Sequence, residues 1–199
     1  MSDPRRPQQE RSALTRSRIL EAAYASLVED GYGATTVGRV QERAGVARGT
    51  LLHHFPTRST LMAGVVEDVI ERRLDLLAAA GAGAPTTTGW DDVVDLVWTE
   101  LQSPPFAAAL ELWVAARTDD DLREALRPLQ ERIFVTVHRG VTGLVGTESS
   151  RVPMLVQFTI DLLTGTHLAG ILHPRPGAES VVEAWKSAVV ELATGPRTP

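Results

Sequence analysis

Apolar residues recur every three or four positions along almost the whole of this 199-residue chain, and no run alternates with the period of two that a half-buried strand needs. That spacing restricts the chain to packed helices, and we expect an all-α fold of about nine. Ile19, Leu20, Ala23 and Leu27 define the first, over 12–30, which should close at Gly31. Thr36 can cap a short second helix, 37–44, ended by Gly45, and a third, 48–54, runs into Phe55-Pro56. Thr57 is placed to cap a long fourth helix reaching about Ala80. AGAGAPTTTG, 80–89, is a connector of small residues, followed by a fifth helix at 90–102. Ser103-Pro104 opens a sixth, to about Arg117, and Asp119, Asp120 and Asp121 suit the N-terminus of a seventh that Pro128 should kink or break. After a loop at 146–151, an eighth helix spans 152–172 and a ninth 179–194.

Charge divides the chain unevenly. Residues 1–60 hold nine arginines against six acids, a surplus of three, whereas the remainder holds 11 basic against 19 acidic residues, a deficit of eight. A basic first third on an acidic body suits nucleic-acid binding by one end. There is no cysteine, which excludes disulfides, thiolate metal sites and cysteine nucleophiles and suits a reducing compartment. No apolar run follows the arginines of the first residues, and the longest apolar stretch, Met154 to Leu172, carries Gln157, Asp161 and His167. We therefore expect a cytoplasmic protein with no membrane span. The motifs of hydrolases, zinc proteases, phosphate loops and dinucleotide sites are missing, and His53 and His54 are adjacent, so they point to different faces and make a poor metal pair. The expectation is no enzyme, no cofactor and no metal.

The informative window is TVGRVQERAGVARGTLLHHFPTRSTL, Thr36 to Leu61. Two short helices joined by a turn that begins with glycine have the helix-turn-helix geometry, which lays the second helix in the major groove of DNA. Arg48 can fork onto a guanine edge, Gly49 permits close backbone approach, and Thr50 offers a hydroxyl and a methyl. With RSRILEAAYASLVEDGYGATT upstream, residues 16–61 resemble the TetR family of regulators: the arginine before Ile-Leu-x-Ala-Ala, the Gly-Tyr, the Thr-Thr, the Ala-Gly-Val turn and Gly-Thr-Leu-x-x-His-Phe are in register. The resemblance implies that Arg48, Gly49, Thr50 and His53 face the groove, with Thr36, His54 and Arg58 near phosphates. For His54, buttressing the fourth helix is the alternative to a phosphate contact. The basic arm of residues 1–11 either enters the minor groove or is a solvated tail. Four positions depart from the family pattern: Leu52 replaces a tyrosine, Ala47 a capping serine, Arg39 an acid and Gln41 an alanine.

Residues 1–60 thus read as the DNA-binding domain and 61–199 as a ligand-binding and dimerisation domain. Trp98, Phe106, Trp113, Phe134, His138, Phe158, Asp161 and His167 sit on otherwise apolar helices and are the candidates to line an effector pocket, with plain core packing as the alternative for each aromatic. Asp161 is either a hydrogen-bonded structural acid or a ligand anchor, because leaving it buried and unpaired would cost several kcal/mol. Helices 152–172 and 179–194 are apolar on faces broad enough to form a homodimer. The expected function is a ligand-responsive regulator, a repressor released from a pseudo-palindromic operator by a small hydrophobic effector. In such a regulator, by the same resemblance, the fourth helix sets the spacing of the two recognition helices.

Overall fold

The computed structural model describes the backbone of residues 6–81, 89–145, 150–172 and 177–194, and the side chains of 9–72, 89–136, 139–140, 145, 150–171 and 177–194. Nine helices occur among the described residues, and no strand. They are α1 (Arg6–Ala34), α2 (Val37–Ala44), α3 (Arg48–His54), α4 (Arg58–Gly81), α5 (Trp90–Leu101), α6 (Pro104–Ala116), α7 (Asp120–Val145), α8 (Val152–Leu172) and α9 (Ala178–Thr194). Most of the 80–89 connector, part of the loop at 146–151 and the first five residues of the basic arm lie outside the described residues.

Three boundaries differ from expectation. α1 starts at Arg6, so residues 6–11 are helix rather than a flexible arm: Pro7 suits a first helical turn, and Gln, Glu, Arg and Ala after it are good helix formers. Gly31 does interrupt α1, with φ 77° and ψ 169°, but one further helical turn follows before Thr35. α7 runs on through Pro128, so the proline does not end the helix. Proline removes one ladder bond at a cost of about 3 kcal/mol, yet Leu122, Leu126 and Leu129 are buried on both sides of it and hold the helix in one piece.

The chain forms two compact units whose boundary does not fall at residue 60. The first unit contains α1–α3, α4 as far as Ala79, and residues 107–131 of α6 and α7. The fourth helix packs with the DNA module because Leu61, Met62, Val65 and Val66 share one core with Ile19, Leu20, Leu27, Val40, Leu51 and Phe55. Leu112, Leu122 and Leu126 complete that core from α6 and α7. The second unit contains α5, the start of α6 to Phe106, α7 from Arg132, α8 and α9. Its core joins Trp90, Val93 and Val94 of α5 to Leu155, Val156 and Leu163 of α8 and Val182 and Val189 of α9. Trp185 Nε1 donates to the buried Thr159 Oγ1 at 2.9 Å, and Lys186 links Asp95 to Glu183, each at 2.7 Å.

The other side of α8 is apolar and exposed: Met154, Phe158, Leu162, Leu168 and Ile171 stay accessible, Phe158 at 47% and Ile171 at 60%. Residues 152–171 are long and apolar enough to cross a bilayer by length and composition. Their inner face is instead packed on α5 and α9.

Candidate nucleic-acid interface

The helix-turn-helix is assembled by caps and by arginines reaching across from α1. Thr36 Oγ1 accepts the Arg39 N–H at 3.2 Å and starts α2. Gly45, at φ 62°, turns the chain left-handed where a side chain would be strained, and its N–H returns to Gln41 and Glu42 carbonyls. Arg18 Nη2 donates to the Ala44 carbonyl at 2.7 Å, satisfying the end of α2 from α1. Arg43 forks onto the Glu29 carboxylate at 2.7 and 2.6 Å, which holds the Glu29 pKa below its ordinary value, and Arg39 pairs with Asp30 at 2.9 Å. The unusual Arg39 therefore has an acid of α1 as its partner.

α3 starts at Arg48 without a side-chain cap, as alanine at position 47 requires. Leu51 is fully buried and Phe55 nearly so, which plants one side of the helix in the core. Gly49 and His53 are exposed on the opposite side with Thr50 beside them, and Arg48 projects from the first turn. Of the positions expected to face the groove, Gly49 and His53 share one exposed side, Thr50 is half-buried at its edge, and Arg48 is exposed at the start of the helix.

His54 is half-buried on the flank, its ring 5.6 Å from that of His53 and 6.4 Å from that of Phe55. Burial first, then electrostatic interaction with His53 and Arg16, push its pKa below the ordinary value. Arg16 reaches the same corner, its guanidinium 5.4 Å from the Phe55 ring centre and 3.7 Å from Glu67. Thr57 caps α4 reciprocally with Thr60: each accepts the other's backbone N–H through its hydroxyl, at 3.0 Å.

Arg58 is turned inward. Its guanidinium lies 3.8 Å from the centre of the Tyr32 ring and donates to the Tyr32 carbonyl, and Nε is buried with no acceptor. Tyr32 belongs to the Gly-Tyr pair, and nothing in its sequence spacing marks the contacts it makes. Its hydroxyl donates to Asp119 Oδ2 at 2.9 Å and its N–H to Glu111 Oε2 at 2.6 Å. Asp119 also accepts the Leu122 N–H at 2.9 Å; that bond first, and the tyrosine hydroxyl second, hold its pKa below the ordinary carboxylate value. The stabilisation is present above about pH 4 and is lost as pH falls through the lowered pKa.

The effector candidates do not all converge. In the second unit Trp98 and Phe106 pack edge-on against the His167 ring, at 6.4 and 5.9 Å between centroids. Phe158 and Asp161 lie on the exposed side of α8, where Asp161 accepts a hydrogen bond from Gln157 at 2.8 Å. Asp161 therefore bears no burial cost, because the face that carries it is open. Phe134 is exposed on α7, Trp113 belongs to the first unit, and the side chain of His138 lies outside the described residues. A hollow lined by Tyr32, Ala115, Thr118, Asp119, Asp120 and Asp121 is open and acidic, unlike a cradle for an apolar molecule.

Comparison with known proteins agrees with this geometry. The family model for bacterial regulatory proteins of the tetR family matches residues 19–65. An uncharacterized HTH-type transcriptional regulator of Mycobacterium tuberculosis is 29% identical over 178 residues, covering 87% of this chain and 91% of the relative. The HTH-type transcriptional regulator CymR of Pseudomonas putida is 33% identical over 136 residues, 66% of each chain. Among solved structures, the multidrug binding protein EbrR complexed with imidazole has a TM-score of 0.66 at 22% identity, covering 87% of this chain and 93% of its own. Fold and interface define a helix-turn-helix transcriptional regulator that binds DNA. The chain belongs to the TetR family.

Proposed function

We propose that this regulator is a repressor that binds a pseudo-palindromic operator as a homodimer and is released by a small, largely hydrophobic effector. The observation that carries the reading is the pairing of two surfaces. Arg48, Gly49, Thr50 and His53 on α3 offer base-reading chemistry, and the exposed apolar side of α8 is a surface that a second copy would cover. Val181, Val190 and Leu192 extend accessible apolar surface onto α9, so two helices from each subunit would form an isologous bundle. Its twofold axis would match half-sites about 34 Å apart, or a near multiple. In this reading Thr36 and His54 contact phosphates beside the groove, whereas Arg58, turned inward against Tyr32, does not.

For the effector we propose contacts from Trp98, Phe106 and His167, the candidates that meet. EbrR is described as a multidrug binding protein and its structure holds imidazole, which supports a similar class of ligand here. The working compartment in this reading is the cytoplasm. Selection from a random duplex library tests the core of it: the wild-type protein should enrich a two-fold symmetric site, and Arg48→Ala should lose about 1–3 kcal/mol at one position of each half-site. Enrichment of no sequence, or an Arg48→Ala variant that selects the same site with the same affinity, would overturn the docking of α3.

A further inference from the structure

The helix-turn-helix is bounded on both sides by residues that hold each other. Tyr32 stands four residues before the α2 cap and Arg58 opens α4 directly after α3, and the bond between them closes the segment that contains α2 and α3. The break at Gly31 makes this possible. Its positive φ turns the chain out of the helix, so Tyr32 N–H finds Glu111 rather than a ladder carbonyl. A Cβ at Gly31 would sit 3.1 Å from the Glu111 carboxylate, on a backbone that side chains rarely adopt. Both acids that grip Tyr32 come from around one corner: Glu111 on α6, and Asp119, which caps α7.

We infer that Glu111 and Asp119 are positioning residues for operator binding: by fixing Tyr32, and through it Arg58, the α6–α7 corner sets the orientation of both ends of the helix-turn-helix at once. None of the four residues belongs to α3. Their effect on DNA affinity therefore runs through geometry, and a displacement of the corner shifts the entry to α2 and the start of α4 together. Ion pairing on the surface would add little here, since exposed pairs contribute weakly. This arrangement instead combines a stacked guanidinium, a backbone cap and two hydrogen bonds on one tyrosine, whose members should act as a unit.

The inference rests on the operator-binding reading, and its test is a double-substitution cycle on the selected operator. Tyr32→Phe keeps the ring under Arg58 and removes the hydroxyl, and Asp119→Asn keeps a helix cap while replacing the carboxylate. Each should weaken operator binding about fivefold, and the double variant should be no weaker than the weaker single one. The salt dependence of binding should be unchanged, because no phosphate contact is removed. Glu111→Gln should retain more affinity than Glu111→Ala, since the amide oxygen can still accept the Tyr32 N–H. Multiplicative losses in the cycle, unchanged affinity in the single variants, or a salt slope reduced by about one would overturn the inference while leaving operator binding intact. Should Asp119→Asn fail to fold, Tyr32→Phe alone decides, and unchanged affinity overturns the inference. A wild-type protein that selects no site overturns the operator-binding reading itself, and this inference with it.

Discussion

The first and second units bury similar kinds of residues but finish differently. In the first, the short helices α2 and α3 leave a polar face outward: Leu51 and Phe55 face a core shared with α1 and α4, and the exposed positions of α3 include arginine, glycine and histidine. In the second, α8 is packed on α5 and α9 along one side and presents Met154, Phe158, Leu162, Leu168 and Ile171 on the other. A helix apolar all round is stable in water only when both sides are covered. The contrast separates a module whose outward face is polar and charged from one whose outward face is apolar.

The sharpest way to break this contrast is a charge on the open side of α8. In an isologous interface Phe158→Asp introduces the charge twice, each burial costing several kcal/mol, so the variant should sediment as a folded monomer at micromolar concentration and lose operator binding by more than about a hundredfold. Retention of the dimer together with loss of effector response would return Phe158 to the ligand pocket.

A smaller effect tests the closure of the first unit. A Cβ on Gly64 would lie 2.7 Å from Phe55 Cε1 and 3.2 Å from Leu20 Cδ2, and the Phe55 ring is buried with little room to retreat. Gly64→Ala should lower unfolding free energy by about 1–3 kcal/mol in urea titration. A neutral result would mean that α4 is loosely packed on α1 and the end of α3. The smallest effect has the opposite sign. Ala47→Ser supplies the cap that α3 lacks and should stabilise the fold by about 1 kcal/mol, read as a raised unfolding midpoint.

Much of the first unit was legible in the sequence because its signals are local. Thr36, Gly45, Ala47 and Thr57 act on the backbone within four residues of themselves, and the limits of α2 and α3 follow from them. Arg18 was visible as part of the arginine-Ile-Leu motif, but its bond to Ala44 was not. The effector candidates were harder to sort. Trp98, Phe106 and Phe158 look alike on an apolar helix, and only packing separates the pair that meets His167 from Phe158 on the open side of α8.

By itself the sequence determined that the chain is helical, where most helices begin and end, and where the helix-turn-helix lies, since periodicity, caps and turn glycines are properties of neighbouring residues. The tertiary structure alone decided that Tyr32 answers to Glu111 and Asp119, 79 and 87 residues away, and that Arg58 turns inward to join them. The spacing of apolar residues specifies which side of a helix is covered, but not by what. A polar contact between distant helices exists only once their cores have fixed the distance between them.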